Sequence, residues 1–514
     1  MELYWYNCVV WQHFPLFTNP NKVLTDSRTM SDKEDEAKKS CQELNLAVLA
    51  EKEQLQSAWK EECQSKPLEE PLSSANSSAE VQQGKASASA ASASASFKKP
   101  LLDGWDQPAD NRCNNKAEKH QGFPAVHVPC VKPLTVENDI THPQRCAAIT
   151  SDMCDMLLGD ELDYKGCMSS ISAFILEREV ADSQSSCKET YELVALGTGD
   201  ACYKGWMEFK GRRLHDMHGM VVARRALLRY FYKQLLMYSS QTPAALERCI
   251  FCPADDGVHL TLKPKYYLHL YMSQTPSGAA ENFQTRLSPP KPAAGLHVNI
   301  KGELRPVPYC RPSVLSSYVY CVSGSDKLTR WSVLGIQGAL LSHILLPVYI
   351  TSIVVADPYQ DPTTLNWVIN DRLKLGPGDK LPESYNQKQV YLFDGPRIAP
   401  IETPPDCCSW SLNWCGGDEM LELVNATVGK AVRDITDPGD QYRPCRLCKA
   451  AMLKSFRKVA HEMKREDLVL LPTYHEAKVQ AEAYQSAKRQ VYDQLSLQDY
   501  GKWPQKQLVD IFAN

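Results

Sequence analysis

The spacing of hydrophobic and polar positions changes along the chain and divides it in two. From about residue 142, apolar residues fall into short runs and helical stripes. Ile171–Glu179 (ISAFILERE), Tyr191–Leu196 (YELVAL) and Tyr266–Met272 (YYLHLYM) predict strands, as does Met420–Thr427. Asp216–Ser240 and Lys327–Leu346 carry apolar and basic residues at helical spacing, and Arg446–Arg465 and His475–Leu495 predict two further helices. Strands interleaved with helices imply a layered α/β domain over 142–514. Ahead of it, Ser31–Lys66 is charge-rich, with Leu44, Leu46, Val48, Leu49 and Leu55 able to line one short helix. Lys85–Ser96 (KASASAASASAS) has nothing to pack, so residues 1–141 are expected to be mostly disordered.

Composition narrows the class. The chain has 514 residues, 43% of them hydrophobic, enough for a core of several hundred residues. Its formal net charge of −4 means that nucleic-acid binding must come from a local basic patch. Nineteen cysteines are spread too thinly for a secreted disulfide scaffold and imply a reducing compartment. Met1–Phe17 is aromatic but lacks the basic start of a signal peptide. Gly338–Asp357 is apolar over about the length of a membrane span. Pro347 at its middle and the β-branched run after it predict a buried helix followed by a buried strand instead.

Seven ordered blocks carry a likeness. They are the Gly-Thr-Gly of Gly197–Gly199, HDMHGMVVARRALLRYFYKQL from His215, SGSDKLTRWSVLGIQGALLS from Ser323, SLNWCGGD from Ser411, VNATVGK from Val424, RLCKAAML from Arg446 and YHEAKVQAEAYQSAK from Tyr474. Over 142–514 they resemble the deaminase domain of the adenosine deaminases that act on double-stranded RNA. The wording around His215 and Asp326 is most similar to the adenosine deaminase domain-containing subfamily, which includes a testis nuclear RNA-binding protein. The resemblance implies a cytidine-deaminase-like α/β/α fold and a nuclear or cytoplasmic factor in germ-cell RNA processing. Its implied partners are double-stranded or structured RNA, or other proteins, and no membrane. Subfamily members usually carry a double-stranded-RNA-binding domain before the deaminase domain, and 1–141 shows no pattern for one.

Zinc deaminases need three protein ligands, an open position for water and a glutamate that moves protons. The family places these in His-Ala-Glu, Pro-Cys-Gly and Ser-Cys-Ser-Asp-Lys. Here the first block reads His218-Gly219-Met220, the second Pro276-Ser277-Gly278 and the third Ser323-Gly324-Ser325. Neutral serine is a poor zinc ligand and glycine offers none. At these positions the expectation is therefore no zinc, a packed or hydrogen-bonded His218, and no enzyme. Cys321, three residues before Gly324 in a presumed strand, is expected to face away. Cys249/Cys252 and Cys445/Cys448 have metal-like spacing but read as incidental thiols.

The resemblance also implies a buried inositol hexakisphosphate. The family positions carried over are Arg224, Arg225, Lys327, Arg330, Trp331, Gln337, Lys449, Tyr474, Lys478, Tyr484, Lys488, Trp503 and Lys506. Independently, Tyr474/Lys478 and Tyr484/Lys488 are i,i+4 pairs expected on one helix, each a phenol beside a cation. Arg224 and Arg225 sit among apolar neighbours, and buried cations must be neutralised. The proline-rich stretch before Ser323 shows no counterpart of the family's Gly-Glu-Gly base-flipping loop, and Glu303 reads as a surface turn. Two functions follow: a catalytically inactive, RNA-associated or protein-binding relative, or an active adenosine-to-inosine deaminase with a rearranged metal site.

Overall fold

Two apolar segments, β1 (Ile171–Ala181) and β2 (Cys187–Thr198), pair antiparallel and form the centre of the domain. The computed structural model describes residues 140–159, 166–168, 170–181, 187–281, 294–376, 378–400, 404–405, 407–433, 441–505 and 509–513. The region 1–141, apart from 140 and 141, lies outside the described residues. A small hairpin, β3 (Phe251–Pro253) with β4 (Leu260–Leu262), precedes β5 (Tyr266–Met272). Next, β6 (His297–Ile300), β7 (Glu303–Pro306) and β8 (Tyr320–Val322) form a three-stranded sheet of their own. The remaining strands are β9 (Ser352–Val355), β10 (Tyr391–Asp394), β11 (Trp410–Cys415), β12 (Glu422–Asn425), β13 (Lys430–Val432) and β14 (Tyr442–Arg443). Among the described residues the central sheet runs β10-β9-β5-β1-β2-β11-β12-β13-β14; β5, β9 and β10 are parallel to each other and the other neighbours are antiparallel.

Both faces of this sheet are covered, which explains why its strands read as continuous apolar runs. Phe174 and Leu176 of β1 point into the larger core, while Ala173 and Ile175 point into a second one. The register shifts between Phe174 and Ile175, where Val194 and Ala195 of β2 both face the larger core. Helix α1 (His142–Leu158) covers the second face with Cys146, Ala147, Met153 and Leu158. On the other face lie α2 (Gly219–Ser239), α3 (Gly324–Leu334) and α4 (Lys449–Glu462). The expected layered α/β architecture is therefore present.

Two expected helices are cut short. Lys327–Leu346 becomes α3 and a single turn at Gly338–Leu341, because Gly335 takes φ +69° and ends the helix. His475–Leu495 divides into α5 (Tyr474–Val479) and α6 (Glu482–Leu497), parted at Gln480 and Ala481. The apolar stretch 338–357 holds that short turn and β9, and no helix among the described residues is long and apolar enough to cross a membrane.

One buried ion pair locks the small sheet to α3. Asp326 and Arg372 are both fully buried, 2.8 Å apart. The other Asp326 oxygen accepts from the His297 amide (2.8 Å) and the Ser323 hydroxyl (2.7 Å), and Arg372 donates to Thr329 Oγ1 (2.6 Å). Removing one member strands the other charge, at a cost of about 3–5 kcal/mol. Arg372→Met is expected to lower the unfolding free energy by about that amount. Denaturant titration with a far-UV signal measures it, and an unchanged midpoint would refute the assignment.

Candidate functional site

The start of α2 is pressed onto the end of β2, and glycine permits it. A Cβ at Gly197 would lie 2.2 Å from the Ala223 amide, and one at Gly219 would lie 2.3 Å from the Ser170 carbonyl. The Gly-Thr-Gly block therefore sets a close helix–strand approach that brings His218, the residue capping α2, beside the loop following β2. In that loop Cys202 forms a bridge with Asp216, and Met217 donates to the Ala201 carbonyl at 3.0 Å.

A donor cluster results. His218 Nδ1 lies 2.8 Å from Asp216 Oδ1 and 3.6 Å from Cys202 Sγ. Cys202, Asp216 and Cys321 each bring one ligating atom to within 4.8 Å of the others. Lys327 Nζ completes the group at 2.7 Å from Asp216 Oδ2 and also donates to the Val322 carbonyl. Hydrogen bonding to Cys321, together with burial, holds the Cys202 thiol well above its ordinary pKa. Burial opposes ionisation of Asp216, yet Lys327 and His218 hold its carboxyl well below the usual range. Burial also opposes charging of His218, but Asp216 overcomes this and raises its pKa.

Cys321 does not face away. Strand β8 ends at Val322 and Gly324 already opens α3, so strand alternation does not extend from one to the other. Cys321 is buried, with its thiol 3.6 Å from the His215 carbonyl. By contrast, the family ligand positions close on each other. Ser277 Oγ accepts from the Gly324 amide (3.1 Å), and a Cβ at Gly324 would lie 3.1 Å from Pro276 Cβ. Met220 is buried in the larger core. The residues present at 277 and 324 therefore do not fit a metal, whereas two thiols, a carboxylate and an imidazole one step away have zinc-binding chemistry.

Sequence reasoning passed over Cys202, Asp216, Asp200 and Glu281. Burial raises the carboxyl pKa of Asp200, with His218 opposing, and raises that of Glu281, with Asp200 adding. Both feel the charge of His218, and raised carboxyl pKa values near such a centre suit proton transfer. Their signal was proximity in sequence: Asp200 directly follows Gly-Thr-Gly, and Glu281 follows Ser277 by four residues. Glu303 sits in exposed β7, paired with Arg305. Cys445 meets Glu422 and Cys448 caps α4, while Cys249 bonds the Gln234 carbonyl, so the two Cys-x-x-Cys pairs serve different places.

The expected basic positions divide between two places. Lys327 belongs to Asp216, not to the cation group. Arg224 lies over the Trp331 ring (5.1 Å) and donates to the Ile336 carbonyl (2.9 Å), and Arg225 donates to the Leu447 carbonyl (2.6 Å). Arg330 lies over Trp503 (5.1 Å) and reaches the Tyr492 hydroxyl (3.3 Å). Lys449 and Lys478 both meet Asp510, the latter at 2.5 Å. Lys488 Nζ donates to Gln485 Oε1 at 3.3 Å. Tyr474 stacks on Phe512 and Tyr484 packs against Tyr385, while Gln337 is spent on the Leu334 carbonyl and Val348 amide. Lys506 lies outside the described residues.

Among the described residues this cluster is short of negative charge. Burial lowers the Arg224 pKa to about 10, with Arg330 and Arg225 adding to the shift. Burial, then Lys478 and Arg330, lowers Lys488 to about 8. Arg330 Nε and Trp331 Nε1 are buried without a hydrogen-bond partner among the described residues. Such orphaned donors beside crowded cations fit a polyanion.

Comparison with known proteins adds identity. The family model described as the adenosine-deaminase (editase) domain matches residues 195–507. The chain is 30% identical over 350 residues to the double-stranded RNA-specific editase B2 of Mus musculus, covering 61% of this chain and 44% of that protein. It is 28% identical over 393 residues to the double-stranded RNA-specific adenosine deaminase of Mus musculus, covering 70% and 31%. To the tRNA-specific adenosine deaminase 1 of Homo sapiens it is 28% identical over 206 residues, covering 35% and 39%. The chain thus spans under half the length of these relatives.

The expectation of no enzyme is thereby overturned. It rested on His218, Met220, Ser277 and Gly324, one register of residues. The editase-domain match, the deaminase relatives and a metal-capable cluster at His218 all point the other way. The reason is physical: Cys321 and the two Cys-x-x-Cys pairs were weighed as replacement ligands from sequence spacing, while folding brings Cys202, Asp216 and Cys321 together from three separate segments.

The Lys488 shift has a pH signature. Because its pKa falls from 10.5 unfolded to about 8 folded, the unfolded chain binds more protons between those values. Stability of phosphate-free protein is expected to rise with pH across that window, and Lys488→Met is expected to remove that slope. Unfolding midpoints measured through the window decide it, and identical slopes in the two proteins would refute it.

Proposed function

The chain belongs to the adenosine-deaminase (editase) domain family, and from that premise we propose that it is an RNA adenosine deaminase whose metal centre is rearranged rather than lost. The observation that carries this reading is the convergence of His218, Cys202, Asp216 and Cys321 at the head of α2. Cys202, Asp216 and Cys321 would hold the zinc, which would leave a position for a water and lower its pKa for attack on a purine carbon. The two thiolates and the Asp216 carboxylate carry three formal negative charges, matched by the metal and Lys327. Asp216 also orients the His218 ring, and Lys327 holds Asp216 in place. With methionine at 220, the carboxyls that would serve proton transfer to the departing amine are Glu281 and Asp200, both of which feel the charge of His218. The double-stranded RNA-specific relatives support RNA as the substrate class.

Inosine formation in duplex RNA, with zinc content measured on the same preparation, tests this. Zinc-loaded protein is expected to form inosine, Cys321→Ser to lose both metal and activity, and Glu281→Gln to lose activity about 10²–10⁴-fold with metal retained. Zinc-loaded protein that forms no inosine overturns the proposal.

We propose in addition that the cations around Arg224, Arg225, Arg330, Lys478 and Lys488 hold inositol hexakisphosphate. The orphaned Arg330 and Trp331 donors and the depressed Arg224 and Lys488 pKa values support it. Phosphate analysis of purified protein is expected to find about six phosphates per chain, matching the ligand's charge-assisted bonding to the cluster. Folded protein without them refutes it.

A further inference from the structure

A second group of metal-ligating side chains lies on the opposite face of the sheet, beneath α1. Strand pairing assembles it. Glu177 of β1 is the register partner of Tyr191 in β2; His269 of β5 is the partner of Ile175 in β1 and of Ser352 in β9. Because Ile175 and Glu177 are two residues apart, all these side chains share one face. His142, the first residue of α1, comes down onto them, its entry set by Thr141 and Gln144, which cap the helix reciprocally.

The hydrogen bonds orient both imidazoles. Ser352 Oγ lies 2.8 Å from His142 Nε2 and 2.8 Å from His269 Nδ1. When both rings donate N–H to that oxygen, the opposite nitrogens carry lone pairs. Those are the nitrogens facing Glu177: His142 Nδ1 at 3.9 Å and His269 Nε2 at 2.9 Å from Oε2. Despite that short distance, buried His269 Nε2 lacks hydrogen-bond alignment with a partner among the described residues. The rings meet edge-on, with centroids 4.5 Å apart, and the Tyr191 hydroxyl is 3.1 Å from His142 Nδ1. Side-chain exposure is 22% for His142, 12% for Glu177 and 4% for His269, so the group is shielded but reaches a surface cleft bordered by Arg145, Glu189 and Phe393.

We propose that His142, Glu177 and His269 form a second metal site, taking a divalent transition cation of the zinc class and clamping α1 to the sheet. One ligating atom from each lies within 4.8 Å of the others. Tetrahedral zinc with its usual bond lengths holds its ligands about 3.4 Å apart, a small contraction. Two imidazoles and one carboxylate leave a coordination position open toward the cleft. Ser352 then plays the outer partner that fixes the ring tautomers of metal-bound histidines. The site shares no residue with the His218 centre and does not depend on how that centre works.

The test uses the full chain, stripped of metal and titrated with Zn2+ alone, with Co2+ as a spectroscopic probe. Cysteine-bound cobalt shows a thiolate charge-transfer band, and cobalt held by nitrogen and oxygen does not, so the two sites are read separately. Wild-type protein is expected to bind one zinc more than His142→Ala, with that cobalt band unchanged in the variant. Cys321→Ser is expected to lose the band and keep the second zinc. Ser352→Ala keeps all three ligands, and its zinc affinity at this site is expected to fall about 10–100-fold, which decides the matter if His142→Ala disturbs the fold. Equal zinc stoichiometry in wild type and His142→Ala, or wild-type affinity in Ser352→Ala, overturns the proposal.

Discussion

The buried carboxylate of Asp326 is the constraint on which the functional half of the molecule hangs. One oxygen faces Arg372, and the other gathers the His297 amide and the Ser323 hydroxyl. A charge with no access to water is tolerable only when its lone pairs are occupied, so these partners cannot move independently. The result is a rigid joint among the start of β6, the β8–α3 turn and the segment at Arg372. Cys321, Gly324 and Lys327 all ride on that turn. Their placement opposite His218 therefore depends on a carboxylate that takes no direct part there.

From this joint the charges divide into two territories. On one side, Lys327 is spent on Asp216, which in turn holds His218. Further along α3 and across α2, Arg330, Arg224 and Arg225 join lysines of α4, α5 and α6 in a group short of carboxylates. Three residues along α3 separate Lys327 from Arg330, less than one full turn, and decide which territory each serves. A single helix thus carries residues of both territories.

The sheet separates a third territory. The face beneath α1 carries two imidazoles and a carboxylate, with Glu177 and His269 placed by strand register and His142 by the start of α1. A side-chain period of two places Phe174 and Leu176 in one core and Ile175 and Glu177 toward the other, so neighbouring residues of β1 serve unrelated environments.

The chain's own pattern determined the layered architecture, the strands at 171 and 266, and the helix within 216–240, because these depend on local periodicity and burial. It also determined which ligand positions are missing, since identity at 218, 220, 277 and 324 is read directly. The helix breaks after Leu334 and Val479 were less legible, because a glycine turn and a short non-helical step leave only weak marks on hydrophobic spacing. Only the tertiary structure decided that Cys202, Asp216 and Cys321 stand together, that Lys327 leaves the basic group, and that His142 meets His269. Those neighbours are 14 to 127 residues apart in the chain. Contacts across such separations are set by strand register and by where helices land on the sheet, quantities that no stretch of sequence carries by itself.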